Sequence, residues 1–546
     1  MDINTQSHKK VFLFGRIIIF ATAALVAVLQ ANEAVAASEN ARLIESIVMA
    51  AACIGIISFC AAGAIRKSLK EEAVLICMIL GGMLLRAFFV LGSDIWTLQN
   101  DTGTYTGFAT DQINIGHIGY IEYIYKFMHL PDMDPYDVFG YFHPPVHHIL
   151  EALWLTAQRL MGVPEDLLFE NMQVLTLLYS GLCMLVMLHI LKECGVKGKA
   201  LYAGMALFCF YPRMIVFAGS VNNDILALLL LLMTIWRTLS WCREKSYKNI
   251  VLLALCLGIG MIAKLNTAIC AFSIALVFFV YLVDVLRSGN LVALKKTLLQ
   301  YVLFGAVSIP VGMSFILRNL IVFGKKPGLP TQGEASVMYT GQFPLWSRIG
   351  VPTLADLHID FPFHPISGEV SHNTWVILFQ TGLFAESYPA DIGMPLLRVA
   401  QIGYVCSITA AVIASVVFLI VYAVKMFKGN DGSRLGAAFV WSTYVMMLLS
   451  YVLYVIKYPY TCSSDFRYMA ASLVFTSLGF AGALSGAGDD GERGRVGADR
   501  EDGGAGDDGE NGGASGRSIA GKVFGAAMSA VLFVTLICSS VYWMAF

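Results

Sequence analysis

Apolar runs about as long as a bilayer is thick recur through this chain, and they fix what it can fold into. Val11 to about Leu29, Ser46 to Ile65 and Ala73 to Leu91 each supply close to the ~20 residues a helix needs to span the hydrocarbon. With 57% hydrophobic and 14% charged residues among 546, the expected class is an all-α polytopic membrane protein. A net charge of −1 offers no basic stripe for nucleic acid. Most of the 12 cysteines sit singly in apolar runs, where they act as small hydrophobes. No CxxC or Cys/His cluster points to a disulfide framework or a structural zinc.

Lysine and arginine set the orientation. Lys9, Lys10, Arg66, Lys67 and Lys70 mark the cytoplasmic side, so the loop after the third run lies outside. The stretch Val146 to Gly162 poses a question of parity. As a crossing helix it would leave Lys192, Lys197 and Lys199 outside; as a helix on the outer surface it brings them inside. Its His147, His148, Glu151, Gln158 and Arg159 also suit a surface better than lipid. On that choice, spans follow at about 171–191, 200–219, 224–240, 250–265, 268–286, 298–318, 396–424, 436–456, 468–484 and 519–545, which makes about thirteen in all.

The domain organisation follows. Residues 1–72 form an extra N-terminal pair of spans, and 1–36 also carry the basic, apolar and A-x-A features of a signal peptide. Residues 73–320 form a membrane core with the outer loop 93–169. Residues 321–395, rich in aromatics and proline, are expected to be a folded cap. Residues 396–485 return to the membrane, 486–518 are a Gly/acidic linker expected to be disordered, and 519–546 hold a terminal span. The chain has no internal repeat and no inverted pattern of broken helices, unlike many secondary transporters.

Chemistry-bearing residues gather at the outer ends of helices. Asp94, Asp101 and Asp111 lie in the first loop, followed by His143, His147, His148 and Glu151; Asn222, Asn223 and Asp224 lie at another outer hairpin. Lys264, Arg318 and Arg467 are outer cations, against the positive-inside bias, and such cations need an anion or a function. Two needs of group transfer match this set. A hydroxyl acceptor needs a carboxylate to take its proton, and a phosphate leaving group needs Arg or Lys for its developing charge. A phosphate on a lipid would sit at this depth. Each residue also has an ordinary explanation: Asn100 to Gly103 reads as a turn, Asp94 as a solvated helix end, Asp224 as a helix N-terminal acid, and the outer cations as snorkelling side chains. His147 and Glu151, spaced i, i+4, offer two ligands for a divalent metal, and two are too few to imply one.

Three motifs carry a family resemblance: an outer loop opening on Asn100-Asp101-Thr102-Gly103, the turn Phe142-His143-Pro144-Pro145 leading into a surface helix, and Asn222-Asn223-Asp224 two spans later. With them the chain resembles the GT-C membrane glycosyltransferases, in the branch of protein O-mannosyltransferases and lipid A aminoarabinose transferases. The resemblance is best over about residues 73–330, with Asp465-Phe466-Arg467 a further match. Two departures stand out: three spans, not one, precede the first loop, and Thr102 stands where the mannosyltransferases typically have Glu.

The resemblance implies transfer of a sugar from a polyprenyl-phosphate donor to an extracytoplasmic hydroxyl acceptor, with inversion and no nucleotide in the site; no cofactor is firmly implied, and a divalent metal stays open. It implies Asp101 as general base. Asp94 is the alternative base, and His143, His147, Glu151, Asn223, Asp224, Lys264, Arg318 and Arg467 are the candidate substrate contacts. The expected setting is the outer face of a bacterial plasma membrane. The competing readings are a lipid-linked sugar flippase or transporter, a diphosphate-lipid-dependent polysaccharide polymerase or ligase, and a non-catalytic assembly subunit.

Overall fold

The computed structural model describes residues 3–32, 35, 40–105, 114–328, 336–352, 371–385, 393–429, 431–485 and short stretches between 527 and 535. Among the described residues there are helices and turns but no strand, only an isolated bridge between Tyr339 and Tyr460.

In chain order the helices are α1 (Ile3–Gln30), α2 (Ala41–Ile65), α3 (Glu71–Gly92), α4 (Gly116–Phe127), α5 (Val146–Leu160), α6 (Gln173–Glu193), α7 (Gly198–Phe210), α8 (Pro212–Val216), α9 (Asp224–Arg243), α10 (Tyr247–Ala263), α11 (Ile269–Arg287), α12 (Leu291–Phe323), α13 (Leu345–Ile349), α14 (Thr374–Phe384), α15 (Met394–Lys428), α16 (Asp431–Lys457) and α17 (Ser472–Ser485). Nine segments among the described residues, those built on α1, α2, α3, α6, α9, α11, α12, α15 and α16, are long and apolar enough to cross a membrane. The chain is an all-α, integral multi-pass membrane protein.

The runs expected at 200–219, 250–265 and 468–484 fold as shorter apolar helices. The first is cut at Tyr211 because Pro212 has no N–H to continue the ladder and opens α8 instead. The expected terminal span and the linker 486–518 lie largely or wholly outside the described residues. At ~1.5 Å per residue, α12 (33 residues) and α15 (35 residues) run about 50 Å. That exceeds the ~30 Å hydrocarbon, so their ends can stand clear of it.

The central element is α9. It is apolar all round and buried from Asp224 through Leu232, packed between α6, α10 and α16. Asp224 in its first turn and Arg243 in its last complement the helix dipole. α1 packs on α3 and α6, burying Val11, Ile19, Ala23 and Val26. The stretch weighed as a signal peptide thus contributes a helix to the core. α2 packs on α3 and buries no residue.

The first loop has a core of its own. Ile118, Tyr120 and Ile121 of α4, Tyr141, Leu155 of α5, Leu168, Phe169 and Val221 form a second apolar cluster. α5 packs on α4 and turns His147, His148 and Glu151 inward.

Candidate active site

Asp101 owes its position to glycines. It adopts the left-handed conformation (φ 54°), rare for a residue with a side chain. Its carbonyl accepts a hydrogen bond from the His117 N–H at 3.0 Å, and that of Thr102 accepts from Ile118 at 3.1 Å. The loop is thereby hung on the first turn of α4. Gly103, Gly116 and Gly140 (φ 84°, 79° and 90°) meet there backbone to backbone. A Cβ on Gly116 would lie 2.4 Å from the Thr102 oxygen and from the Gly103 Cα. Gly116→Ala is therefore expected to destabilise the loop by about 1–3 kcal/mol from backbone strain alone. A melting temperature equal to wild type would contradict this account of the loop.

Arg467 is built just as deliberately. It lies in the turn between α16 and α17, where the Asp465 carboxylate accepts from the Arg467 N–H at 2.6 Å. The Thr381 hydroxyl of α14 accepts from the Phe466 N–H at 2.9 Å, and the Tyr451 hydroxyl of α16 donates to the Ser464 carbonyl at 2.8 Å. From this frame the Arg467 guanidinium donates to the Asp101 carboxylate at 2.9 Å and lies 3.9 Å from that of Asp224. Lys264, just after α10, pairs with Asp224 as well. Arg213 of α8 donates to the Asn100 side chain at 2.8 Å and approaches Asp465 at 3.4 Å. Asp101, Asp224 and Asp465 are thus met by Arg467, Lys264 and Arg213, drawn from distant parts of the sequence. Such a set tolerates burial because its charges compensate.

Burial raises the Asp101 carboxyl, but the Arg467 guanidinium, with His117 and Lys264, outweighs it and holds the group below its ordinary value of 3.8. Beside it, the His117 ring stacks on His143 at 4.7 Å, and its Nδ1 is 2.9 Å from His148 Nε2. Burial first, then neighbouring imidazole or cationic groups, pushes His117 and His148 well below the usual histidine range and His143 to about 3. These imidazoles are neutral at pH 7. Asp101, His117 and His143 offer ligand atoms within 4.8 Å of one another, a trio of the kind that holds a divalent cation.

Asp101, with its side chain about one-third exposed, faces a cavity of about 460 Å³. His143, Lys264 and Tyr468 line it beside Asp101, while Met261, Ile269, Phe272, Phe315, Ile316 and Met447 form an apolar wall. Phe272 lines the cavity yet is 65% exposed, so this wall opens to the outside of the helix bundle. Lys325, Lys326 and Lys457 also line the cavity.

The sequence candidates divide. Asp101, His143, Asp224, Lys264 and Arg467 come together. Asp94 forms a local turn, accepting from the Trp96 and Thr97 N–H groups at 2.7 and 2.8 Å. Asn223 donates to the Ala263 carbonyl at 2.9 Å, tying α9 to α10. Arg318 donates to the Pro131 carbonyl and, at 3.2 Å, to Asn319. His147 and Glu151 lie 4.0 Å apart, wholly buried under α5, and neither lines the cavity. Burial lowers His147 to about 3 and raises Glu151 well above the carboxylate range. Asp111 is outside the described residues.

His117, Arg213 and the lysines at 325, 326 and 457 were not among the sequence candidates. The lysines carry the same signal as Lys264, a cation on the expected outer side. Arg213 stands as a cation inside the run expected at 200–219, a signal of the same kind; no sequence pattern marks His117.

The family model described as dolichyl-phosphate-mannose-protein mannosyltransferase matches residues 143–313, from the His143 turn into α12. Among solved structures, the chain is similar to the apo form of the Archaeoglobus fulgidus oligosaccharyltransferase. The TM-score is 0.46 and the identity 12%, over 86% of this chain and 56% of that one. It is also similar to the archaeal oligosaccharyltransferase AglB from Archaeoglobus fulgidus in complex with an inhibitory peptide and a dolichol-phosphate. Here the TM-score is 0.44 and the identity 13%, over 85% and 55% of the two chains. The chain spans little more than half the length of these structures. No curated protein matches it. The family match supports the GT-C resemblance read from the sequence.

Proposed function

We propose that this protein transfers a sugar from a polyprenyl-phosphate-linked donor to an extracytoplasmic hydroxyl, with Asp101 as general base. One observation carries the reading: Asp101, ion-paired to Arg467, faces a cavity whose apolar wall opens at Phe272 toward the lipid. The tail of a lipid donor would lie along that wall, and its sugar would reach the Asp101 end. The acceptor oxygen attacks the anomeric carbon, its proton goes to Asp101, and the carbon–oxygen bond to phosphate breaks with the electron pair leaving on phosphate. A single carboxylate serving as base in one displacement inverts the anomeric centre. Arg467 keeps Asp101 ionised and aimed, at some cost in basicity.

The segment 321–395, of which α13 and α14 are described, supports Arg467 through Thr381. It is the part we assign to acceptor selection. The working side is the outer face, by the lysine and arginine bias, in a membrane of plasma-membrane type.

The test is to reconstitute the protein in vesicles with a labelled polyprenyl-phosphate hexose and follow both product and label. A covalent sugar–acceptor product on the outer side supports the proposal. Movement of intact donor across the bilayer without product makes it a flippase. Product formed only from a diphosphate-linked donor makes it a polymerase or ligase.

The pH dependence is a second check. A base acts when deprotonated, and Asp101 is depressed below 3.8, so its acid limb lies below that value. The neutral His117 and His143 add no limb near neutrality. The kcat/KM profile is expected to be flat from about pH 5 to pH 8, where an ordinary imidazole base near 6.5 would give a limb. A limb in that window would contradict the assignment.

A further inference from the structure

The cations nearest Asp101 are engaged by protein carboxylates: Lys264, which lines the cavity, pairs with Asp224, and Arg467, which does not line it, faces Asp101 and Asp224. A leaving phosphate therefore needs positive charge from elsewhere. It is available among the other residues that line the same cavity. Lys325 and Lys326 lie on the loop that follows α12, and Lys457 is the last residue of α16. Lys325 is partly balanced by Asp134 at 2.8 Å. Among the described residues, neither Lys326 nor Lys457 forms an ion pair with a carboxylate, and the Lys457 ammonium lies over the Tyr458 ring at 5.1 Å. The loop is held in place by Tyr136, whose hydroxyl lies 3.0 Å from the Lys326 carbonyl and 2.9 Å from that of Gly328. Three lysines from two separate elements thus line one cavity beside an apolar wall; Asp134 and, more weakly, Asp137 act on Lys325, and Asp101 lines the same cavity.

We propose that Lys325, Lys326 and Lys457 bind the phosphate of a long-chain isoprenoid lipid whose tail lies along the Phe272 wall. This rests on the proposed function, and it moves phosphate binding away from Arg318, Lys264 and Arg467. Ammonium groups at this position favour the lipid monophosphate left after transfer, a dianion, over the singly charged sugar-linked donor. Release of that lipid is then a step the lysines control, and added polyprenyl monophosphate inhibits transfer.

The test is direct binding of radiolabelled polyprenyl monophosphate, without sugar, to the full chain in phosphatidylcholine nanodiscs. The Lys326→Gln, Lys457→Gln double variant is expected to bind roughly tenfold more weakly or worse, as for the loss of charge-assisted hydrogen bonds. The corresponding double Arg variant should restore binding, which a merely structural role would not predict. Lys295→Gln, a cation at the expected inner end, should bind as wild type. Wild-type affinity in the double Gln variant overturns the proposal, as does equal competition by neutral polyprenol. Displacement by millimolar inorganic phosphate alone would make this a free-anion site, and displacement by phosphatidylglycerol vesicles a general headgroup site; either also overturns it. The readout is binding, so lysine-dependent binding in a protein that transfers no sugar would sink the proposed function and leave this site standing.

Discussion

Asp101→Asn is expected to slow sugar transfer about 10²–10⁴-fold while leaving donor affinity nearly unchanged. The amide keeps the shape of the carboxylate and can still accept from Arg467, but it cannot take the acceptor's proton. The loss should therefore fall on kcat, with little change in KM for the donor. Steady-state kinetics on purified protein in nanodiscs would measure both. Unchanged kcat would remove Asp101 as base and turn attention to Asp224, the other carboxylate that Arg467 approaches.

Arg467→Ala should be the most damaging single change in the charge network. Its guanidinium is the group shared between Asp101 and Asp224, and its side chain is 5% exposed. Removing it takes the direct partner from Asp101, which is about one-third exposed, and leaves Asp224 with Lys264 alone, at a cost of about 1–3 kcal/mol. A lower melting temperature is expected, and transfer should fall with it. A separate signature distinguishes loss of electrostatics from loss of folding. Without Arg467, the largest influence lowering the Asp101 carboxyl is gone while the burial that raises it remains. Its pKa then rises, protonation sets in at higher pH, and the acid limb of kcat/KM moves upward. Arg467→Lys, which keeps the charge, should hold the limb low. An alanine variant that transfers sugar with an unshifted profile would contradict the role given to the pair.

Much of this was legible in the sequence because a bilayer imposes simple rules. Hydrophobic length gave the helices, and the polar residues of Val146–Leu160 marked it as a helix apart from the spans, which packs within the first loop. The break at Pro212 and the short α7 were missed because the run around them stays apolar, and hydropathy does not register a missing N–H. Site residues with a polarity out of place were also visible: Asp224, Lys264 and Arg467 stood out as charges at helix ends. Contacts across hundreds of residues were not. The pairing of Arg467 with Asp101, and of Arg213 with Asn100 and Asp465, follows from the packing of α14 on α8 and on the α16–α17 turn, which brings both arginines to the first loop. His147 and Glu151 show the converse. Their i, i+4 spacing was read correctly, but nothing local reveals that this face of α5 turns toward the protein, away from the cavity.

The most direct measurement is a single-turnover reaction with labelled polyprenyl-phosphate hexose and an acceptor mixture, run side by side on wild-type protein and Asp101→Asn, with bound donor and covalent product separated and counted. The account predicts a sugar–acceptor product from wild type, and donor bound but untransferred in the variant. Product forming at equal rates in both, or wild-type protein that binds donor and never forms a covalent product, would contradict it.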